Sequence, residues 1–261
     1  FSGEDNTMYP TRLNPTRLLR GTSSMTTDPW IKICGICNAE DAAVCADAGV
    51  DAIGLLLEKS TVHPSGYSNR LSVPVAQTLN RRFPPNLLPV LLLGTGEAGN
   101  PVELVRALQP GAVQLQRLAE PAAAAALRAQ FPSLIILKSF NNEDQENKKL
   151  SLSDIRSYIH RYQVDAIVLD SKYGGSGTTH DWTISQELVR QMQELPVILA
   201  GGLDDQNVAA AIQQVRPFGV DVMSGVSVSA KKRNKKDPDK IRRFVVAART
   251  TALSAAPRVV E

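Results

Sequence analysis

Eight short apolar runs recur along the chain, and each is followed by a segment with the spacing of an amphipathic helix. Apolar runs of this kind, without polar alternation, are typical of parallel strands that are buried on both faces. The predicted strands are WIKIC (30–34), DAIGLLL (51–57), LPVLLLG (88–94), AVQLQ (112–116), SLIILKS (133–139), DAIVLD (165–170), PVILAG (196–201) and GVDVMSG (219–225). The chain therefore alternates strand and helix through most of its length.

Eight strand–helix units within about 220 residues match a single (β/α)8 TIM barrel, which we predict for residues 29–261 as one catalytic domain. An open, doubly wound sheet is the alternative, and it favours a G-x-G-x-x-G turn after its first strand. The first predicted strand leads instead into ICGICNAE (33–40). LGTGEAG (93–99) fits the glycine pattern loosely, but it follows the third strand.

The segment before the first strand has no regular pattern. Residues 1–28 contain no apolar stretch like that of a secretory signal, and Arg, Ser and Thr are frequent among them. We predict a poorly ordered N-terminal extension over 1–28, with folded structure beginning near Pro29.

Composition limits the classes of partner. The net charge of +3 on 261 residues is too small to indicate nucleic-acid binding, and much of it lies in KKRNKK (231–236), which we interpret as a solvated loop. No apolar run approaches the roughly 18 residues that a membrane helix needs. Three cysteines do not suggest a disulfide framework, so we expect a cytoplasmic protein.

In (β/α)8 barrels the reactive side chains lie at the carboxyl ends of the strands. Cys34 ends the first predicted strand and Asp170 ends the sixth, so a thiol and a carboxylate would approach a small substrate from two sides. One group would take a proton while the other gives one. Taken singly, Cys34 could be a small buried apolar residue, and Asp170 could cap a helix or pair with Lys32.

Glycines follow the last two predicted strands. Gly202 comes after the seventh strand, and Ser224 and Gly225 come after the eighth. Barrels often hold a phosphate here, because glycine lets backbone N–H groups approach an anion and a short extra helix can add its N-terminus. The alternative is that these glycines only form tight turns.

The spacing of Cys34 and Cys37 is that of a C-x-x-C pair. A zinc site needs about four ligands, and the sequence has no second C-x-x-C or nearby histidine cluster. A redox pair would begin a helix in a different fold. We therefore predict one working thiol, Cys34, beside a cysteine without a role.

Six motifs, in order, resemble those of the phosphoribosylanthranilate isomerase family over residues 31 to 247. They are KICGI (32–36), GVDAIGLLL (49–57), SNRLSVPVAQTL (68–79), VLDSKYGGSGTTHDW (168–182), LAGGLDDQNV (199–208) and the stretch from GVDVMSG to the final helix (219–245).

This resemblance implies an Amadori rearrangement of a phosphoribosyl-anthranilate glycoside, a step of tryptophan biosynthesis. By the same resemblance Cys34 is the general base, Asp170 the general acid and Arg70 the partner of the anthranilate carboxylate. Gly202, Ser224 and Gly225 would hold the 5′-phosphate. The family's chemistry requires no cofactor and no metal. We expect a small phosphosugar substrate and a monomer, with a homodimer as the alternative.

Some positions depart from the family pattern, mainly around the anthranilate end. The fourth strand ends in VQLQR (113–117) rather than in a histidine, His180 replaces a phenylalanine, and the loop EKSTVHPSGYSNR (58–70) is longer than usual. Two alternatives follow. One is a paralogue that acts on another phosphoribosyl-amine, and the other is a non-catalytic barrel that binds a phosphate ligand.

Overall fold

A computed structural model of the chain describes residues 28–58, 69–94, 99–116, 119–140, 152–170, 181–192, 194–229 and 232–254. The eight predicted strands are all present, with ends that differ from the prediction by at most three residues. They are β1 Trp30–Cys34, β2 Ala52–Leu56, β3 Leu88–Leu93, β4 Ala112–Leu115, β5 Ile135–Phe140, β6 Ala166–Leu169, β7 Val197–Leu199 and β8 Gly219–Val222.

A helix follows each of these strands along the chain. The helices are α1 Ala39–Asp47, α2 Val73–Asn80, α3 Pro101–Leu108, α4 Pro121–Gln130, α5 Leu152–His160, α6 Trp182–Gln191, α7 Val208–Val215 and α8 Pro238–Ser254. Local signals define several of their starts. The side chains of Asn38, Asn100 and Asp181 accept hydrogen bonds from backbone N–H groups in the first turns of α1, α3 and α6.

The strands form a closed barrel in sequence order, and every neighbouring pair is parallel. The ring closes where β8 pairs with β1, with Lys32 opposite Asp221. The predicted (β/α)8 fold is therefore confirmed, and the alternative of an open doubly wound sheet was wrong.

Two apolar clusters pack against the barrel wall, one on each face of the sheet. The larger one lies between the strands and the helices and includes Ile31 and Ile33, whereas a smaller one includes Trp30, Ala52 and Val168. Because side chains alternate across a strand, the smaller cluster lies inside the barrel. Lys32 and Cys34 share the inner face of β1 with Trp30, so polar groups replace apolar ones toward the carboxyl end of that strand.

The charge run KKRNKK is not a solvated loop, as its charge had suggested. Lys232–Lys236 forms a strand, β10, that pairs antiparallel with β9, Ser227–Ser229. Its last residue, Lys236, is buried, and its backbone N–H donates to Asp41 Oδ2 at 2.9 Å. The contact with α1 therefore buries Lys236, whereas Lys232, Asn234 and Lys235 of the same strand remain exposed.

The predicted extension falls almost entirely on residues 1–27, which lie outside the described residues. Asp28, at its end, contacts α8 through an ion pair of 3.3 Å with Arg249 Nη1. In the part of the chain that is described, none of the helices has the length and apolar character needed to cross a membrane.

Candidate active site

Cys34 is the last residue of β1, and its side chain lies inside the barrel with 7% of its surface exposed. Gly54 of β2 is its register partner. The turn after Cys34 is held against the same residue, because the N–H groups of Gly35 and Ile36 both donate to Gly54 O at 3.0 Å. Gly35 has a φ of 76°, which favours glycine, so the chain turns sharply away just after the thiol.

A buried ion pair lies on the inner face next to the thiol. Lys32, with no exposed surface, donates from Nζ to Asp221 Oδ2 at 2.6 Å. Lys32 thus pairs with Asp221 where β8 meets β1, and the alternative pairing of Lys32 with Asp170 was wrong.

The environment of Cys34 shifts its pKa upward from the ordinary value of a thiol. Burial is the main cause, because a low-dielectric site disfavours the thiolate. The charge of Lys32 opposes this shift, Asp221 adds to it, and Lys236 opposes it. The reactivity of Cys34 thus depends on the balance between desolvation and two nearby ammonium groups.

Asp170 follows β6 directly and is partly exposed. Its backbone N–H donates to Phe140 O at 2.8 Å, so the carboxyl end of β5 fixes where this residue stands. Because all strands of the barrel are parallel, Asp170 lies at the same end as Cys34, with β7 and β8 between their strands. The glycine-rich segment that follows, 171–180, lies outside the described residues.

Arg70 lies at the end of the long loop after β2, of which 59–68 is outside the described residues. Its Nη1 donates to Leu57 O at 2.7 Å, which holds the guanidinium at the carboxyl end of β2. The neighbouring Asn69 is 1% exposed and donates from Nδ2 to Met223 Sδ at 3.3 Å. Asn69 Oδ1 has no hydrogen-bond partner within the described residues. This loop therefore brings polar groups from β2 to the ends of β1 and β8.

The predicted phosphate end is a pair of tight turns in contact. Gly201 and Gly202 have φ of 88° and 67°, where a side chain is strained. Ser224 and Gly225 begin a 3₁₀ helix, Ser224–Val226, that follows β8. A Cβ on Gly225 would meet Leu203 O and stand 2.9 Å from Asp204 Cα. The structure thus brings Gly202, Ser224 and Gly225 to one place, as their strand positions predicted.

Lys236 lies beneath this pair of turns. Its Nζ donates to Met223 O at 3.1 Å and to Ser227 Oγ at 3.2 Å, one residue on either side of the 3₁₀ helix. The pKa of Lys236 is lowered overall, because burial outweighs the opposing effects of the three cysteines and Asp41. A buried ammonium therefore supports the turn where an anion is predicted to bind.

All three cysteines are free thiols. Cys37 Sγ lies 3.6 Å from Gly35 O, and burial raises the pKa of Cys37 to about 11. In the described parts of the chain, no group of three or more His, Cys, Asp or Glu side chains is arranged to hold a metal ion.

Sequence reasoning missed several residues of this region: Lys32, Gly54, Asn69, Asp221 and Lys236. A signal did exist for two of them. Lys32 and Asp221 are charged residues inside otherwise apolar strands, at positions that alternate with outward-facing residues. Lys236 gave no such signal, because a lysine within a basic run is expected to be exposed.

A family model described as N-(5′-phosphoribosyl)anthranilate (PRA) isomerase matches residues 31–247. The protein of that name from Methanocella arvoryzae is 37% identical over 227 residues, which cover 85% of this chain and 98% of the relative. The Thermotoga maritima phosphoribosyl anthranilate isomerase structure has a TM-score of 0.66 and 28% identity, covering 84% of this chain and 98% of that one.

A third similar structure is of a phosphoribosyl anthranilate isomerase in complex with reduced 1-(o-carboxyphenylamino)-1-deoxyribulose 5-phosphate. It has a TM-score of 0.63 and 26% identity, and it covers 84% of this chain and 98% of its own. The match thus extends over the whole described barrel. The chain belongs to the N-(5′-phosphoribosyl)anthranilate isomerase family.

Proposed function

We propose that this chain converts N-(5′-phosphoribosyl)anthranilate to 1-(2-carboxyphenylamino)-1-deoxyribulose 5-phosphate, with Cys34 as general base and Asp170 as general acid. Family membership gives the reaction, an isomerisation in tryptophan biosynthesis. The observation that carries the residue roles is the position of Cys34. Its thiol lies inside the barrel at the carboxyl end of β1, which is the end where Asp170, Arg70 and the glycine turns also lie.

The reaction begins with opening of the sugar ring. Asp170 donates a proton to the furanose oxygen, and the C1′–O bond breaks while the anilino nitrogen supplies the electron pair that forms a Schiff base. Cys34 then removes the C2′ proton, and its electrons move into the iminium to give an enolamine. Tautomerisation to the ketone completes the transfer, so C1′ is reduced and C2′ is oxidised within one molecule.

The substrate supplies its own electron sink, because the iminium accepts the electrons that the C2′ proton leaves behind. We therefore propose that the chain works without a metal or an organic cofactor. Dialysis against a chelator is expected to leave the turnover number unchanged, and a loss that added metal restores would contradict this proposal.

Arg70 is proposed to bind the anthranilate carboxylate. A guanidinium has five N–H donors in a planar fork, so the hydrogen bond to Leu57 O leaves the group able to bind a carboxylate at two points. The same bond holds the side chain in place before the substrate arrives, which lowers the entropic cost of binding. Asn69 Oδ1 stands beside it as an acceptor.

The backbone at Gly202, Ser224 and Gly225 is proposed to bind the 5′-phosphate. The absence of a side chain at Gly225 allows the two turns to contact each other, and Gly202 and Gly225 leave N–H groups free to face an anion without side chains between them. The buried ammonium of Lys236 favours a negative charge at the same place. Binding the phosphate firmly fixes the reacting carbon relative to Cys34.

The cellular compartment and the oligomeric state are also proposals. The three free thiols support a reducing compartment such as the cytoplasm. A monomer is expected in solution, and light scattering of the purified chain at several concentrations distinguishes it from the homodimer.

Turnover of N-(5′-phosphoribosyl)anthranilate by the purified chain tests the proposal. We expect substrate fluorescence to fall at a rate proportional to enzyme concentration, and product of the same mass but a different retention time to form. The same gene should restore growth of an isomerase-deficient tryptophan auxotroph. A folded protein that neither turns over this substrate nor restores growth would contradict the proposed function.

A further inference from the structure

The proposed mechanism requires Cys34 to accept a proton, but its buried position disfavours the thiolate that would do so. Only a small part of the side chain is exposed, and burial raises the pKa of its thiol. A neutral thiol is a poor base, because the thiolate is the form that accepts a proton. Some group near the sulfur must therefore stabilise the thiolate.

Lys32 is the cation best placed to do so. It stands two residues before Cys34 on the same inner face of β1, and its ammonium has no exposed surface. Its positive charge opposes the upward shift in the pKa of Cys34. An opposite charge within about 4–6 Å lowers the pKa of an acidic group by roughly 1–3 units.

Asp221 explains why a lysine remains charged in this position. A buried ammonium without a partner loses its proton, but Asp221 Oδ2 lies 2.6 Å from Lys32 Nζ. Burial lowers the pKa of Lys32, and Asp221 and Cys34 outweigh that effect, so the pKa is raised overall. Asp221 Oδ1 has no hydrogen-bond partner within the described residues, so the ammonium is the principal contact of this carboxylate.

We propose that Lys32 is a positioning residue of the isomerisation, whose ammonium stabilises the proton-accepting form of the Cys34 sulfur against the effect of burial, while Asp221 keeps that ammonium charged and moderates its effect. This inference rests on the proposed role of Cys34 as the base. It assigns a function to an ion pair that would otherwise be a structural contact between β1 and β8.

Other charged and titratable groups also face Cys34. Lys236 approaches from β10, but its Nζ is bound to Met223 O and Ser227 Oγ and supports the neighbouring turn. Cys37, in the loop after β1, interacts electrostatically with Cys34, but its own pKa is raised, mainly by burial. Lys32 has the larger effect of the two cations on Cys34, and it is the one on the same strand.

Removing each member of the pair separately distinguishes this role from a structural one. Lys32→Met removes the cation and should raise the pKa of Cys34 by about one unit or more, which lowers the thiolate fraction near neutral pH about tenfold. Asp221→Asn removes the carboxylate that keeps Lys32 charged, so the ammonium loses its proton more readily. The pKa of Cys34 should therefore rise here too, by less than in Lys32→Met, because the negative charge of Asp221 is removed as well. A purely structural pair would lose stability in both variants and leave the titration of Cys34 unchanged.

The titration of Cys34 can be measured without substrate. In a Cys37→Ser, Cys45→Ala background, the thiolate absorbance of Cys34 is followed against pH, and the spectrum of the same protein carrying Cys34→Ser is subtracted. Lys138→Met is the matched control. Lys138 is equally buried, but it donates to Gln116 O and lies 4.8 Å from the centroid of the Tyr162 ring, outside the barrel interior. This control should lose stability and leave the titration of Cys34 unchanged.

The double variant Lys32→Met, Asp221→Leu keeps the test valid if a single variant does not fold, because it leaves no unpaired buried charge. Its Cys34 pKa should rise, by less than in Lys32→Met. An unchanged Cys34 pKa in Lys32→Met or in the double variant would overturn the inference. Since no substrate is used, this result does not depend on whether the chain turns over phosphoribosylanthranilate.

Discussion

Gly54 lies against Cys34 so closely that a methyl group on it would stand 2.6 Å from the thiol sulfur and 3.1 Å from Cys34 Cα. The two residues are register partners on β1 and β2. Any side chain at position 54 would occupy the space that the thiol now fills. The glycine therefore makes room for the Cys34 thiol inside a barrel that is otherwise packed.

This relationship predicts the effect of Gly54→Ala. The added methyl should displace the Cys34 side chain and lower kcat by about tenfold or more, since small misplacements of reacting groups are costly. It should also lower the free energy of unfolding by about 1–3 kcal/mol through overpacking. Thermal unfolding and steady-state kinetics measure the two effects.

A double variant provides the control for Gly54→Ala. In a Cys34→Ala background the sulfur is absent, so Gly54→Ala should cost measurably less stability than it does beside the thiol. Equal costs in the two backgrounds would show that the contact with Cys34 is not the cause.

Arg70→Ala tests the assignment of the anthranilate end. Loss of a two-point, charge-assisted contact should lower kcat/KM by about 30–150-fold, corresponding to roughly 2–3 kcal/mol. Arg82→Ala, which removes an exposed arginine just after α2, should change kcat/KM little. A substrate analogue without the carboxylate should be turned over equally by wild type and Arg70→Ala. If Arg70→Ala loses as much activity toward the analogue as toward the substrate, the guanidinium does not bind the carboxylate.

Gly225→Ala tests the phosphate end. The new Cβ would collide with the backbone of Leu203 and Asp204, so the turns after β7 and β8 must separate. We expect KM for the phosphorylated substrate to rise about tenfold or more, and inhibition by inorganic phosphate to weaken in parallel. Gly202→Val should act in the same direction, because Gly202 has a φ of 67°. Unchanged KM and unchanged phosphate inhibition in both folded variants would place the phosphate elsewhere.

Much of this architecture could be predicted from the sequence, because the signals involved are local. Buried parallel strands produce continuous apolar runs, and the eight runs gave β1 to β8 with small errors at their ends. The barrel then places Cys34, Asp170 and the glycine turns at one end by topology alone.

The electrostatics of the site could not be predicted in the same way. Lys32 and Asp221 are separated by 189 positions and meet only because β8 closes the ring against β1. Lys236 lies in a basic run that indicates exposure, yet contacts with Asp41 and the turn after β8 bury it. Local sequence marks Lys32 and Asp221 as unusual residues for buried strands, but it does not show that they meet. Both contacts depend on how distant segments come together.

Asp170→Asn tests the general acid. The amide has the same shape as the carboxyl group but cannot deliver a proton to the ring oxygen, so kcat should fall by about 100-fold or more while KM changes little. Asp165→Asn is the matched control at the opposite end of β6. Asp165 Oδ2 accepts from Arg128 Nη2 and Ile136 N, both at 2.8 Å, so this variant should lose stability and keep its kcat. A nearly normal kcat in Asp170→Asn would remove the aspartate from the mechanism.

The turnover number of Cys34→Ser, compared with that of Cys37→Ser under the same conditions, tests the central claim most directly. Serine keeps the size of the side chain but is a far weaker base, so Cys34→Ser should lose about 100-fold or more in kcat at nearly constant KM. Cys37→Ser should match wild type, because Cys37 lies in the loop beyond the barrel interior. Wild-type turnover in Cys34→Ser, with correct folding shown by circular dichroism, would contradict the assignment of Cys34 as the base.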